Sequence, residues 1–345
     1  VLWAIETDPI LAGAKIIAEA WDAAGLYQVG SFIGDRFAEW NGPFRDDARC
    51  FIKSDRNTVT KLAARIMGSP DIYPDPEREP NHSINFVTCH DGFTINDLVS
   101  YSEKHNEANN EENRDGSSHN FSWNCGCEGP TDSAEILALR QRQIKNFFTI
   151  LFLSQGTPMI LMGDEVRRSQ LGNNNPYCQD NELSWFDWEQ IEKQADLLRF
   201  VKSIIHLTQN LAIFQIEERL ATIGSASPKI VKKLVSSERS DPYKLPNITW
   251  HGVRLWQPDW SEDSHTLALT LQHPDSEEHL HVMLNSYWQP LKFELPPLLT
   301  GERWHRIIDT ALRTPDDFCE LEKAPEIEGN FYKVESRSAV LLMAY

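Results

Sequence analysis

The stretch Ile84-Asn85-Phe86-Val87-Thr88-Cys89-His90-Asp91-Gly92-Phe93-Thr94 decides how the chain is read. An apolar, partly β-branched run leads straight into His-Asp and then Gly. Such a run is a buried strand that delivers a histidine and a carboxylate at its C-terminal end. In a barrel of parallel strands, that end carries the chemistry. Standing alone, the pair would read first as a structural cap. It does not stand alone: Lys15-Ile16-Ile17-Ala18-Glu19-Ala20-Trp21-Asp22 is also a short apolar strand, ending in Glu with a Trp close behind.

Working outward, strand–loop–helix units recur up to about residue 215, the rhythm of parallel βα units. Strand ends fall at Glu19, at Glu39-Trp40, at Asp91 and at Gly163, with 159–162 read as a fully buried strand. Helices are predicted over 57–67, 95–101, 132–153 (Asp132 as cap) and 189–210, with the end of another over 6–14. Leu198, Val201 and Ile205 are expected to face inward. Four strand ends are half of what a closed barrel needs. Beyond 215, alternating strands near 266–271, 280–284, 304–308 and 339–343 suggest an antiparallel sandwich. The predicted class is α/β: the C-terminal half of a (β/α)8 TIM barrel over 1–215, its N-terminal strands missing, then an all-β antiparallel sandwich domain over 216–345. The Ser-, Lys- and Pro-rich stretch 221–245 reads as a flexible insertion.

The 345 residues carry a net charge of −18, which argues against nucleic acid and anionic membrane as partners. A neutral substrate is compatible with it. The six cysteines are scattered, and Cys125-Gly126-Cys127 has no second pair to make a zinc pattern, so free thiols in a reducing compartment are expected. No cofactor or metal is indicated. The most apolar run, 147–153, is too short to span a bilayer. The chain opens on Val1 without Met or a visible signal peptide and reads as a fragment.

Carboxylates at the ends of neighbouring parallel strands can converge over a common mouth. Glycoside hydrolysis needs that arrangement: one carboxyl protonates the leaving oxygen, while negative charge steadies an oxocarbenium-like transition state. Glu19 and Asp91 are such a pair, and Trp21 could wall the proton donor. The alternative is a pair of structural ion pairs. Trp21, Trp40, Trp123, Trp185 and Trp188 lie in or beside loops after strands, where flat rings suit the CH faces of sugars, although each Trp singly fits a core role as well. The long polar loop 102–130 is expected to touch substrate. Arg45-Asp46 in Phe44-Arg45-Asp46-Asp47 reads as a salt bridge in a loop. Gly163-Asp164-Glu165 reads either as rim of the site or as a structural tie.

The chain resembles the isoamylase and glycogen-debranching branch of the α-amylase superfamily. The resemblance rests on Ile17-Ala18-Glu19-Ala20-Trp21-Asp22-Ala23-Ala24-Gly25-Leu26-Tyr27, Glu39-Trp40-Asn41-Gly42, the stretch 85–94 with His90-Asp91, Asn106-Glu107-Ala108-Asn109, Tyr177-Cys178-Gln179-Asp180-Asn181-Glu182 and Ser184-Trp185. It covers about 15–215. It implies retaining hydrolysis of α-1,6 branch points in glycogen, starch or limit dextrin, without a cofactor, in the cytoplasm or in a plant or algal plastid. Glu19 matches the family's general acid/base and Asp91 its transition-state stabiliser. His90 matches the residue that holds sugar hydroxyls, and Trp21, Trp40 and Asp180 are expected to bind substrate. The family's nucleophile lies in a Gly-Phe-Arg-Phe-Asp-like motif, which this sequence lacks; the chain by itself is expected to be inactive. A non-catalytic glucan-binding subunit and a transglycosidase of the same superfamily are the alternatives.

Overall fold

Asn41 shows how the local sequence sets the architecture. Its side chain accepts the Phe44 N–H and so caps a helix. The same amide donates to Ser69 Oγ and Ser83 Oγ, each at 2.8 Å. One buried residue therefore ends a strand, starts a helix and ties down the start of the next strand. Pro43 lies in the helix's first turn, where its missing N–H costs nothing. Residues 44–47 are thus helical, not the loop expected from Asn-Gly-Pro, although the Arg45–Asp46 ion pair is present at 2.6 Å.

The computed structural model describes every residue except 23, 35, 76–77, 224–244 and 277. The insertion expected over 221–245 falls almost wholly outside the described residues. Helices are α1 (Leu2–Glu6), α2 (Gly42–Lys53), α3 (Val59–Ile66), α4 (Ile95–Leu98), α5 (Ala134–Phe152), α6 (Gln190–Lys193) and α7 (Ala195–Asn210). Strands β1 (Ile16–Ala18), β2 (Phe37–Trp40), β3 (Ser83–Phe86) and β4 (Thr157–Met159) form a parallel sheet in chain order. The register Ala18↔Glu39, Trp40↔Ile84 and Phe86↔Met159 brings the C-terminal ends of β1, β2 and β3 to one edge of the sheet.

Several expectations are corrected. The first helix ends at Glu6, not near Gly13, because Thr7 leaves helical geometry just before Asp8-Pro9. β3 stops at Phe86, and β4 covers only Thr157–Met159. β4 is an edge strand among the described residues, so its side chains are not sealed in, and Met162 beyond it is 73% exposed. Ser133, not Asp132, takes the cap position of α5. The 189–210 helix breaks at Gln194 into α6 and α7. The buried stripe of α7 is Leu197, Phe200, Val201, Ile204 and Leu207; Leu198 and Ile205 lie on its flanks.

The second half adds β5 (Ala221–Ile223), β6 (Asn247–His251), β7 (Thr266–Gln272), β8 (His279–Asn285), β9 (Leu291–Glu294), β10 (Trp304–Asp309), β11 (Phe331–Val334) and β12 (Ser338–Ala344). Six of them make a sheet in the order β10-β12-β8-β7-β6-β5, antiparallel except for the β5–β6 pair. Alternation puts Leu269, Val282 and Leu341 in line across three strands, on the face that joins the core of α2, α3, α5 and α7. The opposite face carries Ala268, Met283 and Val340 and packs on the β9–β11 ribbon through Phe293 and Val334. The sheet is thus buried on both sides.

A buried charge joins the two halves. Asp317 takes Lys145 of α5 and Arg199 of α7 on its two carboxylate oxygens. Asp317→Ala strands the buried Lys145 ammonium without a counter-charge, and we expect a loss of about 3 kcal/mol of unfolding free energy. Denaturant midpoints of the two proteins measure it; equal midpoints would show the triad to be energetically idle.

Candidate active site

Two loops leave the parallel sheet at its C-terminal edge, one after β1 and one after β3. Glu19 directly follows β1. Behind it, the Gln28 N–H returns to the Ala20 carbonyl, and Trp21 bridges to Tyr27, closing a tight loop. Asp22 caps that loop by accepting the Ala24 and Leu26 N–H groups. Glu39, at the end of β2, fixes the loop's far side. Its carboxylate accepts the Gly30 N–H at 2.6 Å and pairs with Arg78 at 2.8 Å. Burial is the main cause that pushes the Glu39 carboxyl above its ordinary range, and these two partners oppose it. Gly30 has φ +82°, and a Cβ there would come within 2.4 Å of the Ile72 carbonyl oxygen, so only glycine fits.

The loop after β3 is held from behind by two buried polar side chains. Arg49, from α2, donates through Nε and Nη2 to the Val87 carbonyl and through Nη1 to the Asn120 carbonyl. Burial lowers its guanidinium to about 10, still well above neutral pH. On the other side, Asp164 accepts the Thr88 hydroxyl and the Ile95 N–H. Of its two readings, the structural tie is the one its bonds support. Burial pushes the Asp164 carboxyl up to about 7. Asp97, also buried, accepts from Ser169, Gln170 and Gly172 and so anchors the loop after β4.

Held this way, the two loops bring Glu19, His90 and Asp91 together. His90 Nε2 lies 3.9 Å from a Glu19 carboxylate oxygen and 3.6 Å from one of Asp91. One ligating atom from each of the three lies within 4.8 Å of the others. Their side chains are 34%, 58% and 63% exposed for Glu19, His90 and Asp91, so a substrate can reach all three. Among the described residues this trio is also the His/carboxylate group with cation-ligand spacing, but exposed acids cluster commonly without a metal, and spacing alone assigns none.

The aromatic residues form a row that leads to the trio. Trp40 sits 5.5 Å from the His90 ring and 6.2 Å from Trp21, and Trp21 stacks on Tyr27 at 5.9 Å. Sequence reasoning singled out Trp21 and Trp40 as binding residues but not Tyr27, which closes the quoted stretch 17–27. It also passed over Arg49, an inward-facing charge in a helix whose start, 44–47, was read as loop. Asp180 is not part of the group: its Oδ1 takes the Trp185 indole N–H at 3.0 Å, in the loop after β4.

The two Asn-rich loops are tied to each other. Asn106 and Asn174 bond each other reciprocally, as do Asn109 and Asn173. All four are buried. Their side-chain amides are committed to one another and to Asp115, Ser117 and Asn120, so any contact with substrate falls to the exposed residues of these loops. Asn174 also gives its carbonyl to the Gly92 N–H, beside Asp91.

Residues 249–342 match the family described as "Isoamylase 1-3, C-terminal". The chain is 39% identical over 352 residues to chloroplastic isoamylase SU1 of Zea mays, covering 98% of this chain and 41% of that protein. It is 54% identical over 212 residues to the glycogen operon protein GlgX homolog of Mycobacterium tuberculosis, covering 61% of this chain and 29% of that one. The chain belongs to the isoamylase branch of the α-amylase superfamily. Type I pullulanase from Bacillus subtilis, solved with maltose, shares the fold of this isoamylase-branch chain at a TM-score of 0.66 and 17% identity, over 99% of this chain and 41% of that one. The chain thus spans well under half the length of these relatives.

Asp164 generates a test. An unfolded chain loses this proton near 3.8, whereas the folded protein keeps it to about 7. Asp164 therefore favours the fold fully below pH 4, and that contribution fades as the pH rises to 7, by on the order of 4 kcal/mol. Asp164→Asn, which cannot ionise, should flatten the fall in urea midpoint between pH 5 and 7. An unchanged pH slope would place the ionisation elsewhere.

Proposed function

We propose that this chain supplies the acid/base and charge-stabilising half of a retaining glycosidase that cleaves α-1,6 branch bonds of glycogen, starch or limit dextrin. The observation that carries the reading is the meeting of Glu19, His90 and Asp91 from two parallel strand ends, in a chain whose relatives are named isoamylase and glycogen debranching enzyme. We read β1–β4 and their helices (1–215) as the second half of a (β/α)8 barrel, and 216–345 as a sandwich domain. The exposed apolar residues Ile17 on β1 and Met162 beyond β4, the two edges of the sheet, support that reading.

In this reading Glu19 donates its proton to the glycosidic oxygen and later takes one from the attacking water. Asp91, ionised, faces the positive charge that builds on the anomeric carbon and ring oxygen. His90, between the two carboxylates, donates Nε2–H to a sugar hydroxyl. Trp40 and Trp21 offer a shelf to the CH faces of the rings, and Asp180 with Trp185 forms an outer contact. A retaining reaction also needs a nucleophile, and no Gly-Phe-Arg-Phe-Asp-like motif stands among the 345 residues. A cytoplasmic or plastid setting fits the unpaired cysteines, and the maize relative is named chloroplastic.

Glu19→Gln in the full-length protein keeps the shape and removes the proton. Release of reducing ends from amylopectin should fall by roughly 10²–10⁴-fold while binding persists. Unchanged turnover would remove Glu19 from the chemistry. A wild-type protein that rearranges glucans without raising reducing ends would be a transglycosidase, and one that only binds would be the non-catalytic subunit.

A further inference from the structure

A shallow hollow of about 880 Å³ opens in the β-rich half, between the turn after β6, the segment after β9 and the turn before β11. We propose that it is a second, non-catalytic site that binds an unbranched α-glucan chain, with Trp256 as its stacking platform. The choice of glucan as ligand rests on the debranching reading above.

Trp256 is 58% exposed and has φ +56°. A bulky residue held at positive φ carries backbone strain, and such strain persists only where the surroundings impose it. Here they do. The Trp256 N–H donates to His251 Nδ1 at 2.9 Å, and the Leu255 N–H donates to the Glu294 carboxylate at 3.0 Å. The indole also stands edge-on to the His251 ring, 6.1 Å away. Because His251 Nδ1 accepts, its proton sits on Nε2 and goes to Thr270 Oγ1, whose own hydroxyl proton then goes to His281 Nδ1, each link 3.0 Å. Burial holds His251 down to about 4, so this hook is intact at neutral pH. The indole is fixed in the open instead of folding onto the sheet.

The rest of the hollow has the chemistry of a sugar site. Leu295, Pro296, Leu298 and Ile327 give an apolar floor. The Arg303–Glu326 pair, 3.2 Å apart, lies on the rim with Glu328 and Asn330, all four exposed. That rim offers both donors and acceptors, as hydroxyl groups require. Its excess of carboxylates disfavours phosphate and other anions. A neutral chain with flat CH faces and hydroxyl edges fits, and the volume falls within the range of small-ligand sites.

The test compares Trp256→Gly and Trp256→Phe with the wild type, all in the full-length protein. Glycine accepts φ +56° without strain, so the thermal midpoint of Trp256→Gly should be unchanged or higher. Its retention by amylopectin in affinity electrophoresis, measured on a Glu19→Gln background, should weaken roughly three- to tenfold. On the active background its KM for amylopectin should rise, while turnover of a short singly branched maltooligosaccharide stays the same. Trp256→Phe should keep most of the retention. Equal retention by Trp256→Gly and wild type would overturn the site, as would an equal loss on the short substrate. A wild type that cleaves no branched glucan, yet is held by amylopectin through Trp256, would defeat the debranching reading and uphold this one.

Discussion

The Val87 carbonyl is where the candidate site is made or lost. It follows directly on β3, and His90 and Asp91 come three and four residues later. Arg49 grips it with two N–H groups, and Asp164 grips the next residue, Thr88, from the other side. A buried charge is costly unless hydrogen bonds replace its water. Arg49 meets that condition with two carbonyl partners, whereas Asp164, with a hydroxyl and an N–H, meets it only in part and its carboxyl is pushed up to about 7. The benefit is geometric. His90 and Asp91 are open to solvent, yet the backbone that carries them is fixed from below, which is what a site must do to act without reorganising around its substrate.

The same logic explains the asparagine knot. The loops 102–130 and 169–185 are far apart in sequence and would be loose if each ended in water. Reciprocal bonds between Asn106 and Asn174, and between Asn109 and Asn173, join them, and the Asp115 carboxylate takes the Asn109 and Asn175 amides. The fit is close: a Cβ at Gly116 would stand 2.3 Å from Asn174 Oδ1. Such a knot is rigid only when complete, since one missing amide leaves its partner buried and unsatisfied.

The strand ends were legible because short apolar runs ending in Glu19 and His90-Asp91 are written locally, and so were the paired leucines of β7 and β8. The start of α2 was not, because Asn-Gly-Pro is as good a loop signal as a helix start, and only the Asn41 bond to Phe44 N–H decides between them. The limits of β4 were misread for a different reason. An apolar run such as 159–162 predicts burial, but burial needs a neighbour, and among the described residues β4 lies at an edge of its sheet. The amide network of the two loops was not legible, because sequence shows a side chain's chemistry and not its partner. Arg49 could not be found at all: its role exists only once α2 packs behind β3.

The second half of the chain matters to the site without adding to the trio. From Gln143 to Phe152, every residue of α5 is buried, polar ones included. A helix buried all round needs cover on every side. α2 and α7 cover part of it, and β12 of the six-stranded sheet covers another. Polar contacts fix the seating: Arg142 donates to the Ser336 carbonyl, Asn146 to that of Arg337, and Thr310 to Asn146. Arg337 in turn lies 4.3 Å over the ring of Trp123, whose N–H holds the Leu98 carbonyl at the end of α4. α4 begins at Ile95, the residue whose N–H Asp164 holds. A path of packed contacts therefore runs from β12 to the loop that carries Asp91, and the sheet supports the geometry of the site as a brace supports a hinge post.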